Sequence, residues 1–327
     1  MSLSLEVKKF INSEHTGEYI EIELPGEIEV PRPRVKKPKA APIPEGEEGA
    51  DAAPEPVDDG PEVQHERARI HYIEAGTGEP LLLIHTIGQS FYTWRKVFNR
   101  LSEHYRVIAP DLFGHGYSDR PITFGYSIEE HTDALLRFMD ALNISCAHIA
   151  AFSMGSAYAL KLAMDHPERV ARMVLLSPGG ITPEMPLTVR MIDSPLLGFA
   201  ACRLYGLKTV EKLLQESVFD LTNITQDVVQ EYYRPASDPE GRRAIRLSLQ
   251  NYEDEDIVAK LRQLNADTLI LMGTEDKWHT AETCELYHSA MRSAGFAVVR
   301  NAGHLMHEEK PDRFVAALLE FIPVVMP

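Results

Sequence analysis

From residue 65 onward the chain alternates short, almost wholly apolar runs with segments of helical spacing. Leu81-Leu82-Leu83-Ile84, residues 105–109, Ala147-His148-Ile149-Ala150-Ala151, residues 170–176 and Thr268-Leu269-Ile270-Leu271-Met272 are all of strand length. Such runs lack the polar face of a strand that looks into water on one side, so they need cover on both faces. Helical segments at residues 90–102, 128–142, 156–164, 281–294 and 312–321 supply that cover. The pattern predicts an α/β fold, with a mostly parallel central sheet and helices on both of its faces. Ligands of such sheets bind beyond the carboxyl ends of the strands.

Two stretches interrupt the alternation. Residues 181–257 hold four helix-like segments (195–205, 210–219, 226–233 and 241–251) and no strand. They predict a helical cap inserted after strand 6, over the carboxyl edge of the sheet. Residues 1–64 carry fifteen acidic and seven basic side chains, a net −8 that is half of the chain's −16. Eight prolines fall between Pro31 and Pro61 with no aromatic residue among them. That composition cannot offset its ordering entropy by burial, which predicts a largely disordered or extended N-terminal segment. Within it, residues 18–24 alternate apolar and polar, and read either as part of that tail or as a short strand added to a sheet edge or a partner. The expected division is therefore 1–64 as an extension, 65–180 with 258–327 as the core, and 181–257 as the cap.

Charge and cysteine usage narrow the partners. A net charge of −16 repels phosphate backbones, so no nucleic-acid partner is expected. No run of 18 apolar residues and no signal-peptide pattern occurs, which predicts no membrane span and a cytoplasmic location. The three cysteines lack metal-ligand spacing, and Cys146 reads as a small buried apolar residue. No G-x-G-x-x-G follows the first strand and no metal-ligand cluster is present, so neither a metal nor another cofactor is expected. The expected partner is a small-molecule substrate.

The run Ala147–Ala151 leads straight into Phe152-Ser153-Met154-Gly155 and then a helical segment. A serine on such a strand-to-helix turn has its hydroxyl at the sheet's carboxyl edge, beside a helix N-terminus. At neutral pH a serine needs a base within hydrogen-bond reach, a group orienting that base, and donors for the oxyanion. The chain carries Glu275-Asp276 after the strand at 268–272, and Gly303-His304 after a strand expected at 297–300. The order is Ser, Asp, His.

On these residues the chain resembles the α/β-hydrolase superfamily. His85-Thr86-Ile87-Gly88 resembles its oxyanion loop, residues 111–119 its D-x-x-G-x-G-x-S-D segment, and Gly303-His304 with Glu309 and Pro311 its G-H segment. The resemblance covers residues 66–323. It implies Ser153 as nucleophile, His304 as base, Asp276 as the orienting acid, and the N–H groups of Ile87 and Met154 as the oxyanion hole. Thr86, Trp278 and Leu305 are further candidates to touch substrate, with Trp278 either lining the pocket or merely packing. Two positions depart from the family pattern. Ala151 stands where the first glycine of G-x-S-x-G is usual, and Thr86 where His-Gly is usual. The His-Thr-Ile loop is similar to that of plant hydroxynitrile lyases, but those have a lysine after the catalytic histidine, where this chain has Leu305.

Rival residues have structural readings. His307, His85 and His115 compete with His304, and Glu275 and Asp111 with Asp276. His279 and His288 read as surface residues. The cap's Met185, Met191, Phe199, Tyr205, Phe219, Tyr232 and Tyr233 suggest an apolar pocket, or simply the cap's own core. The expected activity is hydrolysis of a small to medium carboxylic ester, lactone or thioester through an acyl-serine. The alternatives are carbon–carbon bond hydrolysis or cofactor-free haloperoxidase-like chemistry on the same triad, and, outside enzymes, a ligand receptor on the same fold.

Overall fold

A computed structural model describes residues 17–30, 62–179 and 185–324. The Pro-rich residues 31–61 lie outside the described residues. Among the described residues, eight strands form one sheet: β1 (Glu18–Val30), β2 (Glu62–Ala75), β3 (Pro80–Ile84), β4 (Arg106–Pro110), β5 (Ala147–Phe152), β6 (Val170–Leu176), β7 (Asp267–Gly273) and β8 (Ala294–Val299). Their order is β1-β2-β4-β3-β5-β6-β7-β8. The pairs β1–β2 and β2–β4 are antiparallel and all the others parallel.

The apolar runs are explained by what covers them. Leu82, Ile84, Ile149, Ala151 and Met173 point into one buried cluster. Their neighbours Leu81, Leu83, Ala150, Phe152 and Val174 point into another, on the opposite face. Successive strand side chains alternate faces, so a strand buried on both has no polar positions to spare.

The helices are α1 (Phe98–Leu101), α2 (Ile128–Ala141), α3 (Gly155–Asp165), α4 (Leu187–Asp193), α5 (Gly198–Leu204), α6 (Leu207–Ser217), α7 (Gln226–Tyr233), α8 (Pro239–Gln250), α9 (Glu255–Lys260), α10 (Ala281–Ala290), α11 (Met306–Glu309) and α12 (Pro311–Phe321). Local signals start several of them. Ser127 and Glu130 form a reciprocal capping box on α2, and Asp238 caps α8 ahead of Pro239. Helices α4 to α9 all fall between β6 and β7. None of these helices is long and apolar enough to cross a membrane.

Four sequence expectations are corrected. The helix expected over 90–102 is a 3-10 turn, Phe91–Trp94, followed by the short α1. Tertiary contacts break it: the Phe91 N–H donates to Asp111 Oδ1 (2.7 Å), and Thr93 and Arg95 are drawn to Glu308. Strand β8 begins at Ala294, three residues early, because this sheet edge is half exposed and its apolar pattern is weak. Cys146 is only half buried. His279 is fully buried rather than a surface residue.

Residues 18–30 pair along β2, with Ile22 opposite Ala68. Ile22 and Leu24 are buried, while Glu21 and Glu23 face out beside Arg67. The alternation at 18–24 is thus that of an edge strand with one wet face.

Candidate active site

Ser153 is the first residue beyond β5, with φ +53°, a left-handed backbone that non-glycine residues seldom adopt. Its N–H is held by the Leu176 carbonyl (2.8 Å) and its carbonyl accepts from Ser156 N–H (2.9 Å), so neighbouring structure fixes the turn. A Cβ at Gly155 would lie 2.4 Å from the His85 carbonyl oxygen, so the second small position must be glycine. Ala151 lies within β5, where its methyl packs in the core. Glycine is not needed there.

Three side chains from three loops meet at this turn. His304 Nε2 is 3.0 Å from Ser153 Oγ, and His304 Nδ1 is 2.8 Å from Asp276 Oδ2. The other Asp276 oxygen accepts the N–H groups of Trp278 (2.9 Å) and His279 (3.1 Å). Burial by itself would raise the Asp276 carboxyl. The charge and hydrogen bond of His304, with His279 beside it, hold it instead far below the usual carboxylate range. An ionised Asp276 keeps a proton on Nδ1 and leaves the Nε2 lone pair for the Ser153 hydroxyl. Trp278 stacks on the His304 ring (centroids 5.0 Å, 25°), and Phe152 packs on it at 4.8 Å.

The N–H groups of Met154 and Ile87 donate to no acceptor among the described residues. Both residues line the same cavity as Ser153. The Ile87 N–H belongs to a peptide pinned from its other side. The Thr86 carbonyl accepts His85 Nδ1–H (2.7 Å) and Gln89 N–H (3.2 Å). His85 Nε2 accepts the Leu112 N–H (2.9 Å), which sets the neutral tautomer. Burial, the larger influence, pushes this imidazole below its ordinary value.

The cavity above Ser153 is apolar. Thr86 and Trp278 line it, together with Met185, Tyr205 and Tyr232 from the insertion. Leu305 does not line it: its side chain packs in the core and its N–H donates to the Ser217 carbonyl (3.1 Å). Phe199 and Phe219, expected as pocket residues, point outward. Much of the rest of the wall is aliphatic and was not singled out in the sequence, such as Val210, Leu213 and Leu214 of α6, with Ser217 on the same face. Their i, i+3, i+4, i+7 spacing is the inward stripe of an amphipathic helix and was the available signal.

The rivals are engaged elsewhere. Glu275 is exposed, with Thr274 donating to it. Asp111 accepts from His71 Nδ1 (2.8 Å), Tyr117 N–H and Phe91 N–H. His115 and His307 are both pushed down to about 3 by burial, so each is a neutral buried ring.

Two glutamates tie the His304 loop to the insertion. Glu309 accepts the N–H groups of Gly303 (2.6 Å), Phe219 and Asp220 (2.8 Å each). Glu308 is buried, with Arg95 Nη2 at 2.6 Å, Thr93 Oγ1 at 3.1 Å and the Tyr232 hydroxyl bonded to the same oxygen as Thr93. Burial would raise Glu308, but Arg95, with help from His307 and Tyr232, holds it below its ordinary value. Such a carboxylate stabilises the fold above its unfolded value of about 4.3, and that contribution is lost as pH falls through the lower folded value. Glu308→Ala leaves Arg95 buried and unpaired, and is expected to cost about 3–5 kcal/mol of stability at neutral pH. Denaturant unfolding checks this, and a loss under about 1 kcal/mol would show the pair to be dispensable.

A serine, acid and histidine on the loops after β5, β7 and β8 of such a sheet are the arrangement of the α/β hydrolases. Residues 79–311 match the alpha/beta hydrolase fold family, and the chain belongs to it. Over 260 residues it is 28% identical to a 2-hydroxy-6-oxo-6-phenylhexa-2,4-dienoate hydrolase of Comamonas testosteroni, covering 77% of this chain and 91% of that one. It is 29% identical over 265 residues to a 2-hydroxymuconate semialdehyde hydrolase of Pseudomonas sp. (strain CF600), covering 78% and 90%. Among solved structures, a meta-cleavage product hydrolase from Pseudomonas fluorescens IP01 (CumD) superposes with a TM-score of 0.66 at 27% identity, over 78% of this chain and 94% of that one. The protein is a hydrolase of this fold.

Proposed function

We propose that the protein hydrolyses an uncharged acyl substrate, a small to medium ester, lactone or thioester, through an acyl-serine. The observation that carries this is the Ser153–His304–Asp276 chain of hydrogen bonds at the floor of an apolar cavity. His304 Nε2 takes the Ser153 proton as Oγ attacks the carbonyl carbon. The oxyanion falls to the N–H groups of Met154 and Ile87. His304 then gives the proton to the leaving oxygen or sulfur. Water, deprotonated by the same nitrogen, attacks the acyl-serine and releases the acid. Thr86 and Trp278 contact the acyl group, and residues 181–257 act as a cap that excludes water.

Carbon–carbon hydrolysis is the second reading, favoured by the relatives' names. The dienoate named for one of them carries a carboxylate. No lysine or arginine lines this cavity among the described residues, and an unpaired buried carboxylate costs several kcal/mol. An uncharged substrate fits better. Fluorophosphonate labelling of wild type beside Ser153→Ala, followed by turnover of p-nitrophenyl esters, lactones and a dienoate ketone, tests both readings. Equal labelling of the two proteins would remove Ser153 from the reaction. Turnover confined to the dienoate would select carbon–carbon cleavage.

His85 is read as a positioning residue for the oxyanion site. His85→Ala removes the shorter of the two hydrogen bonds on the Thr86 carbonyl and is expected to lower kcat about 10²-fold with KM little changed. A rise in KM at constant kcat would assign His85 to ground-state binding instead.

A further inference from the structure

The outer face of α5 and the turn before it is apolar where a surface helix is ordinarily polar. Leu196 is 92% exposed, Leu204 82% and Phe199 69%, with Leu197 and Leu207 also exposed beside them. The opposite face of α5 is apolar too: Ala201 and Cys202 pack with Met154, Met185 and Ile192 next to the cavity. This short helix therefore separates the cavity's surroundings from an exposed apolar surface.

Arginines border that surface. Phe199 and Arg203 share a groove with Arg242, Arg243 and Arg246 of α8, and Glu240 is its one acidic member. Arg242 donates to the Ala236 carbonyl and Arg246 to Gln250 Oε1 (2.8 Å each). None of the four arginines lies in a salt bridge with a carboxylate among the described residues. In a chain of net charge −16, a local concentration of unneutralised arginine is out of keeping with the whole.

Protruding leucine and phenylalanine with arginines along the Phe199 side match a surface that is apolar beneath and anionic on top. We propose that this face of the insertion docks on an anionic lipid bilayer, with Phe199 and Leu204 entering the acyl boundary and Arg203, Arg242, Arg243 and Arg246 meeting the headgroups. The other ready occupant, a second copy packed by the same patch about a two-fold axis, would set the two arginine clusters against each other. Docking here brings the helix packed beside the cavity to the membrane and suits an uncharged, lipophilic substrate. In that respect it deepens the hydrolase reading, although binding itself needs no catalysis.

Co-sedimentation of the full chain with phosphatidylcholine vesicles, with and without phosphatidylglycerol, is the test. Binding is expected to the phosphatidylglycerol vesicles and to weaken with salt. Phe199→Ser with Leu204→Ser is expected to lower the partition coefficient at least about tenfold. Arg203→Glu with Arg243→Glu should lower it by a similar factor, and only on the anionic vesicles. Ser153→Ala should bind like the wild type, which separates this result from the fate of the catalytic reading. Absence of vesicle binding, or binding unchanged in both double variants, overturns the proposal. So does a dimer in light scattering that the Phe199/Leu204 variant dissociates.

Discussion

Asp276→Asn is expected to lower kcat about 10⁴-fold while leaving the fold and KM nearly unchanged. The reason lies in which oxygen does what. One Asp276 oxygen accepts two backbone N–H groups, from Trp278 and His279, and an asparagine must keep its carbonyl oxygen there. Its NH2 then faces His304 Nδ1, where the ionised carboxylate stood at 2.8 Å. Two donors cannot face each other, so Nδ1 must give up its proton and Nε2 must carry it. Trp278 stacks on the His304 ring and Phe152 packs against it, which resists its turning to escape. With a proton on Nε2 the ring cannot accept the Ser153 hydrogen. Steady-state kinetics beside thermal unfolding checks this. A loss under about tenfold would mean that another acid orients the histidine, or that no proton passes through it.

Ser153→Ala should abolish turnover more completely, by about 10⁶-fold, leaving the residual rate of the oxyanion donors and binding. It should also keep its substrate pocket. The backbone turn is fixed by bonds from Ser153 N–H and to its carbonyl, neither of which uses the side chain. The cavity wall is mostly apolar and does not depend on the hydroxyl. The variant should therefore bind an uncharged product or substrate analogue with affinity close to that of the wild type, read by calorimetry. A residual rate within about 10²-fold of wild type would mean that water, rather than Ser153, attacks the substrate.

Much of the candidate site was legible because its signals are local. Ser153 and Asp276 each follow an apolar run by a few residues, and His304 a weaker one, and such a run ends where the sheet's carboxyl edge begins. Gly155 was legible as part of a motif, although the reason for it, the His85 carbonyl 2.4 Å from any Cβ, comes from a strand some seventy residues earlier. Other residues carried no local signal. His279 looked like a surface histidine near a helix, yet its Nδ1 contacts the Ser177 carbonyl at 2.6 Å, across to the end of β6. Leu305 was a candidate substrate contact, but the chain turns into α11 and carries the side chain into the core. The helix at 90–102 had good helical spacing and was broken by Asp111 and Glu308, which are distant in sequence.

The sequence by itself determined the layered α/β architecture, the chain order of Ser153, Asp276 and His304, and the strand ends on which they stand. These follow from periodicities of two and 3.6 residues and from turn chemistry, which act over a few neighbours. Only the tertiary structure decided which cap residues look into the cavity and which look out, and that Glu308 and Glu309 tether the histidine loop to the insertion. Those outcomes depend on hydrogen bonds and packing between residues far apart along the chain. Their free energies appear only when the segments are brought together, so no local pattern records them.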